Sequence, residues 1–296
     1  MSPPDISRPR LATLLAGDGR TVAERERLVE LITRLAELPP PPDPCGLYPR
    51  YPELHDRLAA TLAGTDGEAA EEAFLALYAH LHGHVAPYTA SERAAVDRAG
   101  GYWCHAGGLA PVLKAPDWIR RDTVSADLGA GNGLQLLLVQ LLAPHRRAVQ
   151  VEISAAMIEA GRALQRWLGL PEACVEWRHA DVTSVSAAEL DFLYLYRPVK
   201  PDGPGGTFYR RLADEIGRAP RPSVIFSVAD CLAEYLPASF VRFYFDGHLA
   251  CFRRDPVAKP ASARRARAHR EASESAAGRG SERSIGRELD AASRKP

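Results

Sequence analysis

The chain has 296 residues, 37 Lys+Arg against 37 Asp+Glu, a formal net charge of zero, and 46% hydrophobic and 25% charged residues. That is the profile of a globular protein with material for one large domain or two modest ones. The balanced charge excludes a wholesale polyanion binder, and no apolar run approaches the roughly 18 residues that cross a bilayer.

The first elements read as helices. Thr21-Val22-Ala23-Glu24 has capping-box spacing, and Leu28, Leu31, Ile32, Leu35 and Leu38 follow at helical intervals. Pro39 to Pro42, with Asp43 and Pro44, ends that helix in a stiff extended connector. Thr65-Asp66-Gly67-Glu68 and Thr89-Ala90-Ser91-Glu92 repeat the start signal, the first followed by an apolar face of Phe74, Leu75, Leu77, Tyr78 and Leu81. Residues 1–115 are therefore expected to form an all-helical cap. Within it, His80 and His84 of His80-x-His82-x-His84 share a helix face, as zinc ligands can. No third ligand is arranged beside them, and imidazoles at a helix C-terminus already suit its dipole, so no metal is expected.

From Thr123 the pattern changes. Val124–Leu128, Ala148–Ile153, Val175–Trp177, Phe192–Tyr196 and Val224–Val228 read as strands, with helices at Leu134–Leu142, Ala155–Leu168 and Phe208–Ile216 between them. Alternating strands and helices predict a parallel α/β sheet. Phe240–Phe245 and Leu249–Phe252, joined through Asp246-Gly247, add an antiparallel hairpin. After Pro256 large aliphatics almost vanish, and residues 261–296 carry nine Arg+Lys against five Asp+Glu, so residues 257–296 are expected to be a disordered basic tail. The start of the chain lacks a signal-peptide pattern. Five scattered cysteines (Cys45, Cys104, Cys174, Cys231, Cys251), never in C-x-x-C spacing, fit a reducing cytoplasm better than a disulfide framework.

Asp127-Leu128-Gly129-Ala130-Gly131-Asn132-Gly133 joins the first strand to the first helix of this sheet. Its glycines let the backbone approach a ligand, but the dinucleotide fingerprint fails at Leu134 and Leu136. An acid at Asp127 suits a ligand carrying an ammonium group and would repel a pyrophosphate. Glu152 ends the second strand, where a carboxylate can accept from both ribose hydroxyls, and Asp181 follows the third, where it could accept from an adenine amino group. Three acids at three successive strand tips lie on the edge where such sheets bind ligands.

On these residues, 123 to about 253 resemble the class I S-adenosylmethionine-dependent methyltransferases. The resemblance implies a Rossmann-like seven-stranded sheet closed by the antiparallel hairpin, with residues 116–256 as the S-adenosylmethionine-binding domain. It implies that Asp127, Gly129, Ala130, Gly131, Asn132 and Gly133 hold the methionyl part, that Glu152 holds the ribose and Ile153 flanks the adenine. Asp181 and Val182 would hold the adenine's amino edge, with His179 nearby. Gly101–Leu109, including Tyr102, would fold over the cofactor or substrate. It further places the acceptor at the end of the fourth strand, where Tyr196 and Arg197 would position it and the following Asp202–Gly206 would be a flexible loop lining the mouth. Arg197 could clamp a carboxylate or phosphate. The Asn/Asp-Pro-Pro-aromatic element of amino-methyltransferases is absent. Cys231 follows the fifth strand, where some cytosine-5 RNA enzymes carry a cysteine, but without the matching Pro-Cys after the fourth it reads as a small packed residue. Asp191 precedes the fourth strand instead of ending it, against a metal-dependent enzyme. The expected activity is methyl transfer to a small molecule or a protein side chain, with long nucleic acid and membrane disfavoured. The rival is a cofactor-binding regulatory or scaffolding protein without turnover. Oligomeric state is not legible.

Overall fold

The computed structural model describes residues 11, 13, 15, 19–83, 88–102, 107–229 and 231–255. The expectations for Trp103–Ala106, His84 and the tail lie outside them. The helical region comprises α1 (Val22–Glu37), α2 (Tyr51–Ala63), α3 (Gly67–His80), α4 (Ala90–Ala99) and α5 (Leu109–Lys114), the last running into a 3-10 turn over Ala115–Trp118. Thr21 caps α1 as its spacing predicts: its hydroxyl accepts from the Glu24 amide at 3.2 Å, and the Glu24 carboxylate accepts from the Thr21 amide at 3.0 Å. Thr89 and Glu92 make the same exchange at the start of α4. In α3 the cap is one residue later than expected. Asp66, not Thr65, accepts from the Ala69 amide at 3.1 Å, and its charge also suits the helix N-terminus. The buried stripe of α3 is Ala70, Ala73, Phe74, Leu77 and Tyr78. Leu75 falls between its rows and is 37% exposed, so it does not belong to the expected face.

The sheet has seven strands: β1 (Val124–Leu128), β2 (Arg147–Glu152), β3 (Val175–His179), β4 (Phe192–Tyr196), β5 (Val224–Val228), β6 (Phe240–Phe245) and β7 (Leu249–Arg254). Their order is β3-β2-β1-β4-β5-β7-β6; β1 to β5 run parallel, and β7 lies antiparallel to both β5 and β6. The hairpin turn is held by Asp246, whose Oδ1 accepts from the amides of His248 and Leu249, with Gly247 at φ 93°. Side chains alternate across the sheet. Phe192 and Tyr194 face a core built with α6 (Leu134–Leu142), α7 (Ala155–Trp167) and the N-terminal helices, whereas Leu193 and Leu195 face a second core with α8 (Gly203–Arg218).

The first of these cores is continuous from Leu28 and Phe74 in the helical region to Phe226 and Cys251 in the sheet. Polar bonds reinforce the seam. The Trp167 indole donates to Pro39 O at 2.7 Å, and Asn132 Nδ2 donates to the Tyr48 hydroxyl and to Leu81 O at 2.9 and 2.6 Å. Among the described residues no helix is long and apolar enough to cross a membrane.

One sequence expectation is corrected here. Asp202–Gly206 is not a flexible loop: α8 begins at Gly203, with Pro204 in its first turn and Gly205 and Gly206 buried. A Cβ on Gly205 would lie 1.7 Å from Lys200 O, so these glycines serve close packing of the helix start against the chain leaving β4.

Candidate functional site

The glycine loop is shaped by the end of β2. Gly129, Gly131 and Gly133 take φ of 85°, 59° and 70°, the left-handed region that glycine enters without strain. The amides of Gly129 and Ala130 both donate to Val151 O, and the Gly131 amide donates to Glu152 Oε2 at 2.8 Å. Oε1 of the same carboxylate accepts from the amides of Ile153 and Ser154, each at 2.9 Å. Glu152 thus holds the loop and the start of α7 together, a duty its position at a strand tip did not foretell. Burial pushes its pKa up, against the pull of those amides.

Asp127 sits beside it under different conditions. It is 2% exposed, and among the described residues no hydrogen bond reaches its carboxylate. Burial first, then the Glu152 charge, holds its pKa well above the usual carboxylate range. Around it lies a polar cluster that the sequence reading missed. Gln135 donates to Gly108 O at 2.8 Å and to the Tyr194 hydroxyl at 3.2 Å, and accepts from the Tyr78 hydroxyl at 2.8 Å. Burial drives both phenols far up, with the Asp127 charge adding to it. A glutamine at the second position of α6, which is apolar but for Gln135 and Gln140, was the available signal.

Asp127, Gly129, Ala130, Gly131, Asn132, Glu152, Ile153, Asp181, Val182, Tyr102, Tyr196 and Arg197 all line one cleft of about 920 Å³, open solvent at its mouth included. Gly133 is not on its wall: a Cβ there would come within 2.6 Å of the Trp177 ring, so its lack of a side chain serves packing beneath the loop. Asn132 reaches the cleft, but its side-chain amide is spent on Tyr48 and Leu81. Asp181 caps the turn after β3, accepting from the Thr183 amide at 2.8 Å, and the His179 ring bonds Ile153 O at the same distance.

The other wall comes from the helical region. Ala95, Val96 and Ala99 of α4 face the cleft, and the chain beyond α4 pairs with the chain beyond β4: Gly101 bridges Val199, Tyr102 N donates to Pro198 O at 3.1 Å, and Lys200 N donates to Gly100 O at 2.8 Å. Tyr196 meets the His248 ring edge-on at 5.5 Å. Arg197 has φ 34°, its Nη2 donates to Ala229 O at 2.8 Å, and its guanidinium lies 5.7 Å from the centre of the Tyr102 ring. Ala229 is itself at φ 59°, so two non-glycine residues at adjacent strand ends hold a strained backbone and are tied to each other. Cys231 is buried and donates to the Tyr209 hydroxyl at 2.9 Å, and burial pushes its thiol up, away from nucleophilic character. His80 accepts from the Arg50 amide while His82 packs edge-on against Tyr78. Among the described residues no three His, Cys, Asp or Glu side chains are grouped to hold a metal.

No protein-family model and no curated protein matches the chain. Solved structures similar to it include an RNA methyltransferase from Salinibacter ruber in complex with S-adenosyl-L-homocysteine, at 19% identity over 52% of this chain and 95% of that one, TM-score 0.41. TrmN from Thermus thermophilus is 14% identical over 49% of this chain and 47% of its own, TM-score 0.38. The ribosomal protein L11 methylase of Lactobacillus delbrueckii subsp. bulgaricus is 12% identical over 49% and 76%, TM-score 0.37. These are remote likenesses, and the fold rests on the chain's own strand order. Five parallel strands with β1 and β4 at the centre, a glycine loop after β1 and a reversed β7 beside β5 give this chain the Rossmann-like fold of the class I methyltransferases.

Proposed function

We propose that the chain is an S-adenosylmethionine-dependent methyltransferase. The observation that carries this reading is Asp127: a buried carboxylate at the floor of a cleft, without a hydrogen bond among the described residues. A buried charge without a partner costs several kcal/mol, in order of magnitude, unless a ligand supplies one. The ammonium of a methionyl group meets that need. Ile153 and Val182 offer apolar walls for a purine, Asp181 an acceptor at its edge, and Glu152 a carboxylate at the β2 tip for ribose hydroxyls.

S-adenosylmethionine held there would supply an electrophilic methyl group for displacement by a lone pair of the acceptor, with S-adenosylhomocysteine as the leaving group. Such a displacement asks the protein for alignment and exclusion of water more than for acid–base help. Tyr196 and Arg197 at the end of β4 would position the acceptor. Tyr102 and the α4 residues Ala95, Val96 and Ala99 would shield the reacting centre from solvent.

The test is label transfer. The protein is incubated with methyl-labelled S-adenosylmethionine and cell extract, and counts are separated into acid-insoluble and soluble products. Glu152→Ala is expected to weaken S-adenosylmethionine binding by about 1–3 kcal/mol in calorimetry, through lost ribose bonds and a loosened loop, and to abolish transfer at limiting cofactor. Intact cofactor binding with no labelled product in either fraction would favour the non-catalytic rival, and unchanged affinity in Glu152→Ala would mean that the adenosine lies elsewhere.

A further inference from the structure

The cleft is electrostatically two-ended. Among the described residues its carboxylates, Asp127, Glu152 and Asp181, stand at or just beyond the tips of β1, β2 and β3, and its cation, Arg197, stands past β4. Arg197 is held, and among the described residues no carboxylate neutralises it. Among the described residues its guanidinium donates to the backbone carbonyl of Ala229 and neighbours the Tyr102 phenol and the Cys231 thiol. Its Nε is buried with no hydrogen-bond partner. Lys200 approaches the same Tyr102 ring at 5.9 Å, so two cations flank one aromatic wall, and no carboxylate of the described residues forms an ion pair with either. The strained backbone at Arg197 and at Ala229 persists because this arrangement over-determines it.

A guanidinium so fixed presents a planar fork, the geometry that recognises a carboxylate or phosphate in two parallel bonds. The paired segments Gly100–Tyr102 and Pro198–Lys200 and the α4 residues Ala95, Val96 and Ala99 lie around it, a cleft of the size that takes a small ligand. We propose that the methyl acceptor is a small molecule bearing a carboxylate, which Arg197 binds against Tyr102 with Lys200 strengthening the field. This rests on the methyltransferase reading for the identity of the reaction, but anion binding at Arg197 is measurable without it.

The probes are benzoate and its neutral isostere benzamide, with inorganic phosphate and a ten-nucleotide polyuridine as further arms. Each is titrated into the full chain, with and without S-adenosylhomocysteine, by calorimetry and by saturation-transfer NMR. Saturable benzoate binding is expected, at least tenfold tighter than benzamide. In Arg197→Met, which keeps the aliphatic stem, that preference should vanish while S-adenosylhomocysteine affinity stays within about twofold; Arg197→Lys should retain part of it. Melting curves of both variants establish that they fold. Equal binding of benzoate and benzamide, or a benzoate preference untouched in Arg197→Met, would overturn the proposal while leaving the cofactor reading standing. Polyuridine binding tighter than benzoate and lost in Arg197→Met would replace the small carboxylate with a nucleic-acid phosphate. Failure to bind S-adenosylhomocysteine alongside Arg197-dependent benzoate binding would sink the cofactor reading and keep the anion site.

Discussion

At the scale of single residues, two acids of the same sequence pattern do different work. Glu152 is tied by three backbone amides, whereas Asp127 has none among the described residues. From the sequence both are strand-tip carboxylates, and nothing in spacing separates a carboxylate that builds the loop from one left without a hydrogen bond among the described residues. The difference arises because the loop folds over β2 and not over β1. It has a consequence for pH. The folded Asp127 titrates above its unfolded value, so between the two the folded chain holds a proton that the unfolded chain has lost, and stability falls as pH rises through that window. Glu152 shifts in the same direction and adds to the slope. Thermal melts of the ligand-free protein should therefore decline from mildly acidic to neutral pH, and Asp127→Asn should flatten that decline and raise the neutral-pH melting temperature. Binding of a cationic ligand must expel the proton, so affinity should rise with pH in the wild type. Calorimetry in buffers of different ionisation enthalpy reads that proton directly; an identical heat in every buffer would remove Asp127 from the site.

At the scale of elements, the seven strands and the helices between them were legible because their apolar runs and glycine stops are local. The start of α8 was not. Pro204-Gly205-Gly206 has the composition of a loop, and only the approach of the chain after β4, with Lys200 O where a Gly205 side chain would lie, shows why a helix there needs glycine. Gly205→Ala should cost about 1–3 kcal/mol by forcing backbone apart, or more, and should displace Pro198–Lys200 and with it the cleft wall. Urea denaturation gives the cost, and loss of acceptor-side binding with cofactor affinity retained gives the displacement. A variant as stable as wild type would mean that α8 can start later, as the sequence suggested. The Gln135 cluster escaped notice for the opposite reason: its partners, Tyr78, Gly108 and Tyr194, come from three distant parts of the chain.

At the scale of the whole molecule, the helical region and the sheet share one apolar core. Composition marks a change of pattern near residue 115, but it carries no information on whether the two patterns pack together, since both faces are written in the same leucines. Trp167 sits on that seam, bonded to Pro39 and edge-on to Tyr51. Unfolding followed by tryptophan fluorescence and by far-ultraviolet circular dichroism should therefore give one coincident transition. Two separated midpoints would show that the helical region unfolds on its own.

The Asn132 to Tyr48 bond joins groups 84 residues apart in a chain made from its N-terminus. At about 5–20 residues per second of synthesis, Tyr48 is added to the chain roughly 4–17 s before its partner. During that interval the apolar faces of α1, α2 and α3 lack the sheet side of their core. The first half of this chain is thus born waiting for the second, and its biogenesis depends on how well the cell shelters three helices whose binding surface has yet to be translated.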